Sequence, residues 1–463
     1  MSVKNVLLIA VVSGISMLGG NAAADEMGGA PVTGKPVAKT FGGDSFVTGA
    51  KRRALRAVDL ASPDSATLAD AQKRRNDRFK RGQPLEIGFP RKVARARIDL
   101  GGLDWEPLPG GAQGARFTLT SSAAAALRAG LRLGSAKGAH ADPSKVTLRF
   151  AGADGRIFAD NGSAFAGDDM GWSPVISGDT ITVEIVLPKS ARPSDYTLSA
   201  PMFSHLQVDP SASQPSFAKG VGDIGSSDYC EKDIVCRVKP SAEFLSASKS
   251  VARMVFTPKT GYTGYCSGTL LNNSNSPKRQ LFWSAAHCIS TQKVANTLQT
   301  YWLYDATGCD NDTLSDKAVT LTGGATLLHS HATRDTLLLE LKSAPPSGAY
   351  YAGWNSSAIA TKGTAIEGIH HPSGDLKKYS LGSVSALSST IDGKKPLTKV
   401  AWTTGVTEGG SSGSGLFTIS STSGYQLRGG LYGGTSYCSA PSDPDYYSQL
   451  DGVWSSIKTY FSP

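Results

Sequence analysis

Apolar positions along this chain fall into short alternating runs, with few of the long stripes that mark amphipathic helices. Between residues 92 and 208 the segments RARIDL, ARFTLT, KVTLRF, TITVEIVLP and DYTLSA place apolar side chains at roughly every second position. That is the period of a half-buried strand. Gly, Pro and Asp punctuate the runs, which predicts a small β-sandwich, with a brief helix at AAAALRAGL (123–131). After residue 225 short strands follow one another again: GTLL, QLFWSAA, TLLLEL, AIEGIHHP and LRGGLYGG. They predict an all-β barrel or sandwich, closed by a terminal helix at GVWSSIKTYF. Between the two regions, residues 209–228 are rich in Ser, Gly, Pro and Asp and read as an exposed linker, the best place to be cut. Residues 25–91 are charged and poor in aromatics, hence loosely ordered or helical in part.

The N-terminus changes the picture. Lys4 precedes an apolar core, VLLIAVVSGISML, and small residues at Ala22 and Ala24 follow. This is the layout of a secretory signal, cut after Ala24, and implies an exported, extracellular protein. The cysteines agree. All six (Cys230, Cys236, Cys266, Cys288, Cys309, Cys438) lie beyond residue 229, and an even number in an exported chain reads as disulfides with 15 possible pairings. The five-residue gap in CEKDIVC is too long for a zinc knuckle. No later apolar run is long enough to span a membrane.

Charge divides the chain in the same place. Residues 220–463 carry 20 basic and 18 acidic side chains, against 27 and 20 in the remainder. The basic balance therefore belongs to the front, in KRRALRAVDL and QKRRNDRFKRGQP. In an exported chain such a stretch reads as a solvated, removable segment, not a nucleic-acid arm.

Three segments carry chemistry. A serine hydroxyl becomes a nucleophile when an imidazole takes its proton and a carboxylate orients that imidazole. LFWSAAHC ends an apolar strand at His287. TRDTLLLEL sets Asp335 at the head of another. EGGSSGSGLF has the composition of a linker, but it places Ser412 two residues after Gly410, so that the N–H groups of both can face a developing oxyanion. The order His…Asp…Ser is that of the chymotrypsin-type triad. His370 and His371, adjacent on a strand, point to opposite faces and read as structural. His329 and His331 have metal-like spacing but no acidic third partner in sequence, so no metal or other cofactor is expected.

The region from about 225 to 460 resembles trypsin-fold serine endopeptidases, and among them the bacterial lysyl endopeptidase branch. GYCSGTLLNN, SAAHC, RDTLLLEL, IHHPSGDLKKYS, GVTEGGSSGSGLF and LYGGTSYC follow that branch in order. The resemblance implies a double β-barrel, His287 as base, Asp335 as orienter and Ser412 as nucleophile. It also implies the disulfides Cys230–Cys438, Cys236–Cys309 and Cys266–Cys288, and a propeptide. Where animal trypsins carry an Asp before the nucleophile, this chain has Ser411. Activation by a freed N-terminal amine is therefore not expected, and removal of a blocking N-terminal segment is.

The implied organisation is a signal peptide (1–24), a basic propeptide segment (25–91), a β-sandwich-like propeptide domain (92–208), a linker (209–224) and a protease domain (225–463). Cleavage is expected near Lys219–Gly220. Partners are protein or peptide substrates and the chain's own propeptide, acting as inhibitor or folding aid. Candidate substrate-binding residues are Glu408, Tyr432, Gly433, Gly434 and Ser448. The branch selects lysine with an Asp shortly after the last cysteine, but counting from Cys438 and back from Val453 reaches Tyr447 and Ser448. Asp443, Asp445 and Asp451 lie nearby. Tyr432 stands where lysine-specific relatives carry His. The expected activity is hydrolysis after Lys or Arg. The alternatives are an apolar P1 preference, or a non-catalytic surface- or polysaccharide-binding protein on a protease fold.

Overall fold

A computed structural model describes residues 31–36, 44–49, 54–78, 82–167, 169–212 and 225–462. The signal segment 1–24 and the Lys219–Gly220 bond lie outside the described residues. No helix among the described residues is long and apolar enough to cross a membrane.

The N-terminal unit is a β-sandwich. One sheet runs Leu55–Leu60, Gln113–Ser121, Thr180–Leu187, Thr147–Ala151, Ile157–Asn161. The facing strands include Ala126–Ser135, Tyr196–Leu206 and Leu85–Lys92. The period-two pattern explains this packing: Ala115, Phe117 and Leu119 of one sheet and Leu127, Ala129 and Leu131 of the other enter one core.

Two expectations are corrected here. AAAALRAGL is not helical. From Ala126 it is strand, paired along Tyr196–Leu206 and buried through Leu131. A mid-sheet position that buries both faces outweighs the helix preference of Ala, Leu and Arg. Helix Ser65–Arg78 agrees with a part-helical segment, but the strands on either side of it, Leu55–Leu60 and Leu85–Lys92, make residues 55–92 more regular than expected. Leu85, Ile87 and Phe89 are buried core, so the folded unit begins well before residue 92.

The C-terminal half is a double barrel. Its first sheet holds Val251–Phe256, Thr263–Leu270, Leu281–Ser284, Gln299–Trp302 and Thr336–Leu341. Its second is eight-stranded, around Ala365–His370, Lys378–Ile391, Lys394–Thr404, Gly415–Ser420 and Gly424–Gly434. A short helical run, Asp451 to Tyr460, closes the chain. A core joining Trp283 and Leu338 to Ile369, Phe417 and Leu427 lies between the barrels.

The two halves share a sheet. Leu85–Lys92 pairs with Tyr196–Leu206 on one side and on the other with the first barrel, Thr263 opposite Gly88 and Tyr265 opposite Leu85. A mixed core seals this junction, with Leu85, Ile87, Ala126, Val175 and Leu206 against Val255, Tyr265, Tyr301 and Tyr304. The buried Arg128 guanidinium crosses it, donating to Thr257 Oγ1 at 2.9 Å and to the Thr297 carbonyl at 2.5 Å.

Candidate active site

Strand Leu281–Ser284 is buried along its whole length and delivers His287 to the turn beyond it. The Cys266–Cys288 disulfide ties that turn to the neighbouring strand. Asp335 lies just before strand Thr336–Leu341, fully buried, with φ +52°, a backbone region that Asp tolerates better than most residues. Its Oδ1 accepts the His287 backbone N–H at 2.9 Å, and its Oδ2 lies 2.8 Å from His287 Nδ1. An ionised carboxylate can only accept, so Nδ1 carries the proton and Nε2 presents its lone pair. Nε2 is buried and has no hydrogen-bond partner among the described residues.

Ser412 sits in a tight loop against the same wall. Its carbonyl accepts the Ser267 N–H at 2.8 Å and lies 3.9 Å from Cys288 Sγ. No hydrogen bond joins Ser412 to His287 among the described residues; such contacts are often long before substrate arrives. Two glycines shape the loop. Gly410 has φ +97°, and a Cβ there would lie 2.9 Å from the His371 carbonyl oxygen. Gly413 has φ +81°, and its Cβ would meet Ser284 Oγ at 2.1 Å. Only glycine fits either place. The N–H groups of Gly410 and Ser412 donate to nothing among the described residues.

The family model for the lysyl endopeptidase C-terminal domain matches residues 224–448, and that for the lysyl endopeptidase N-terminal domain matches 59–207. A lysyl endopeptidase from Pseudomonas aeruginosa is 44% identical over 463 residues, covering 99% of this chain and 98% of its own. The chain belongs to the lysyl endopeptidase family. It is a serine endopeptidase. Among solved structures, the Rv3671c protease from M. tuberculosis in its active form aligns at 15% identity and TM-score 0.32, covering 53% of this chain and 93% of that one. The HtrA-type protease AlgW with tripeptide aligns at 17% and 0.32, covering 47% and 64%.

Beside Ser412 this lysyl endopeptidase family member has a pocket lined by Thr407, Glu408, Gly409, Leu431, Tyr432, Gly433, Gly434 and Ser436. The Tyr432 ring stands edge-on to the His287 ring, centroids 5.8 Å apart, and its hydroxyl donates to Asp392 Oδ2 at 3.1 Å. Glu408 turns both oxygens to the back of the loop, accepting from the Asp228 N–H at 2.8 Å and from Ser373 Oγ at 2.5 Å. Burial outweighs those bonds and pushes its carboxyl up to about 7.

Ser448 is not in this pocket. It is buried just beyond strand Asp445–Tyr447, with Oγ accepting from the Gly430 N–H at 3.0 Å. Asp445 is buried behind two residues of the pocket lining, Thr407 and Ser436. Its Oδ2 accepts from Trp402 Nε1, Thr407 Oγ1 and Ser436 Oγ at 2.6, 2.7 and 2.8 Å. Strand pairing sets it opposite Gly434, where a Cβ would lie 2.0 Å from Asp445 Oδ1. Burial raises its carboxyl above the usual range despite three donors. The spacing from Cys438 did not single it out, because the turn after that cysteine sets the register.

The other four histidines of the C-terminal half have structural partners. His370 lies between Ser411 Oγ (2.8 Å) and Ser380 Oγ (2.9 Å), and burial lowers it to about 3, so it is a neutral buttress behind the Ser412 loop. His371 Nδ1 faces the Asp375 carbonyl at 3.0 Å. His329 Nε2 is 3.2 Å from Thr336 Oγ1, and His331 Nδ1 accepts the Arg334 N–H at 3.3 Å. Cys266, His287 and Cys288 cluster, but the two sulfurs are bonded to each other and offer no thiolate. The other disulfides are Cys230–Cys438 and Cys236–Cys309.

One feature was illegible beforehand. Gly82 and Gln83, from the N-terminal unit, line the pocket beside Ser412 and leave about 40 Å³ free. Gly82 runs so close to Tyr432 that a Cβ would meet the ring at 2.5 Å.

Proposed function

We propose that this chain is an exported preproenzyme whose C-terminal half hydrolyses peptide bonds after Lys or Arg. His287 takes the Ser412 proton, Asp335 stabilises the imidazolium, and the Ser412 oxygen attacks the scissile carbonyl to form an acyl-enzyme that water then releases. The Gly410 and Ser412 N–H groups receive the oxyanion. The observation that carries the reading is the double grip of Asp335 on His287, at 2.9 and 2.8 Å, which leaves Nε2 as the free base.

Asp445 supports the basic P1 preference. It is a buried carboxylate bonded to Thr407 and Ser436 of the pocket lining, with burial working against its charge, and a substrate ammonium would supply the missing counter-ion. The name of the Pseudomonas relative agrees with lysine. The N-terminal unit acts as folding aid and inhibitor, with Gly82–Gln83 in the substrate groove, and the linker near Lys219 is where the chain is cut. Residues 1–24 direct export, which suits three disulfides.

The test is a mass-spectrometric map of cleavage sites in a denatured protein mixture, run beside the Ser412→Ala protein. Cuts after Lys or Arg that vanish in the variant are expected. Mutant-sensitive cuts after apolar residues would remove the role given to Asp445. Cuts that persist in the variant would remove the triad.

A further inference from the structure

Ser373 lies outside the triad and the pocket, yet the nucleophile loop leans on it. It is fully buried and adopts φ +52°, ψ +16°, a left-handed conformation that non-glycine residues rarely take. That conformation aims its N–H at the Gly409 carbonyl, 2.7 Å away, and its hydroxyl at Glu408 Oε2, 2.5 Å away. Its own carbonyl accepts the Gly225 N–H at 2.6 Å. Strain of this kind persists where surrounding structure over-determines it, and it gathers at functional sites.

The consequence follows from peptide geometry. A trans peptide is planar and carries its C=O and N–H on opposite sides. With the Gly409 oxygen held inward by Ser373, the N–H of Gly410 in the same peptide unit must point away from Ser373. The next peptide is pinned as well, since Ser267 Oγ donates to the Gly410 carbonyl at 3.0 Å while accepting the His371 N–H at 3.1 Å. A flipped Gly409–Gly410 peptide would present a carbonyl oxygen where an oxyanion must bind.

We propose that Ser373 is a positioning residue for hydrolysis, its backbone N–H fixing the Gly409–Gly410 peptide so that the Gly410 N–H faces the reacting carbonyl. The proposal rests on Ser412 as nucleophile. It also means that the oxyanion donors are in place in the uncut chain, so that inhibition before processing comes from occupancy of the groove and not from a collapsed loop.

The determinant is backbone conformation, which side chains can favour or oppose. Glycine accepts a left-handed φ freely, while a β-branched residue resists it. Ser373→Gly therefore keeps the N–H in place and loses the hydroxyl; Ser373→Val does the reverse to the backbone. In the processed enzyme, Ser373→Val is expected to lower kcat about 10²–10³-fold, the range for loss of one oxyanion donor, with KM within a few-fold. Its affinity for a peptide lysinal, whose hemiacetal needs the oxyanion donors, should fall in parallel. Ser373→Gly should retain kcat and lysinal affinity within about threefold. Should Ser373→Val not fold, Ser373→Ala is the substitute, with about a three- to tenfold loss in both readouts. Wild-type kcat and lysinal affinity in Ser373→Val or Ser373→Ala would overturn the proposal. So would a Ser373→Gly loss as large as theirs, since that would assign the effect to the hydroxyl. Failure of the triad reading has a separate signature, activity that survives Ser412→Ala, and it would overturn this inference with it.

Discussion

At the scale of single residues, the site depends on carboxylates whose positions give them different tasks. Asp335 spends both oxygens on His287 and so fixes a tautomer. Replacing it with Asn would leave the packing and present an amide where only an acceptor works. A kcat loss of about 10⁴-fold in steady-state assays is expected. Asp445→Asn tests the proposed part of this buried carboxylate in P1 selection. A buried pair broken on one side typically costs about 3–5 kcal/mol, so kcat/KM for a Lys substrate should fall at least about 10²-fold relative to a Met substrate. Equal losses for both substrates would remove its role in selection. Glu408 makes a prediction about pH. Its folded pKa of about 7 lies above the ordinary 4.5, so the folded state holds the proton more tightly. The associated stability is present below pH 4.5 and is lost as pH rises through 7, up to about 3 kcal/mol. In melts run between pH 5 and 8, Glu408→Gln should flatten the fall of Tm; an unchanged slope would place the proton elsewhere.

At the scale of elements, the segments proposed for the triad stand out in the sequence because each joins an apolar strand to a polar residue at its end: FWSAAHC, RDTLLLEL and the glycine-bounded EGGSSGSGLF. Which of Asp443, Asp445 and Asp451 would face the pocket was not legible, since a strand of three residues after an irregular turn sets their direction, and one residue of slip exchanges inward for outward positions. AAAALRAGL misled for another reason. Its composition favours helix, and only the strands on either side of it make a sheet the better burial. Covalent staples act at this scale too. Cys266–Cys288 closes a 22-residue separation and anchors the turn bearing His287. Removing it with a Cys266→Ala/Cys288→Ala double variant should cost about 3 kcal/mol by loop-closure entropy. The expected sign is a lower Tm together with loss of kcat, read by calorimetry and activity on one preparation. Full activity at a lowered Tm would make the staple structural alone.

At the scale of the whole molecule, the N-terminal unit and the first barrel behave as one body. The pairing of Leu85–Lys92 with Thr263–Tyr265 continues a sheet across the junction, Ser204 and Thr263 hydroxyls meet at 2.7 Å, and Val175 donates to Gln299 Oε1 at 2.9 Å. Even residues 31–36 add to the catalytic half, Lys35 and Pro36 pairing with Tyr351 and Tyr350. None of these contacts involves residues 213–224. A cut there removes a covalent link and leaves the apolar junction buried, and with it Gly82 and Gln83 beside Ser412. Cutting alone is therefore expected to leave the enzyme inhibited, and activity should appear when the N-terminal unit is itself degraded or dissociates. A full-length protein carrying another protease's recognition sequence within 213–224 tests this. After the cut, two fragments should co-elute in size exclusion while hydrolysis of a small lysyl amide stays low. Gly82→Val, which forces a side chain against Tyr432 where φ is already +67°, should leave the fragments together but raise activity at once. Full activity of the unsubstituted nicked complex would show that the segment at Gly82 does not block the groove. Immediate separation of the fragments would show that the shared sheet and core do not hold the halves together without the chain between them.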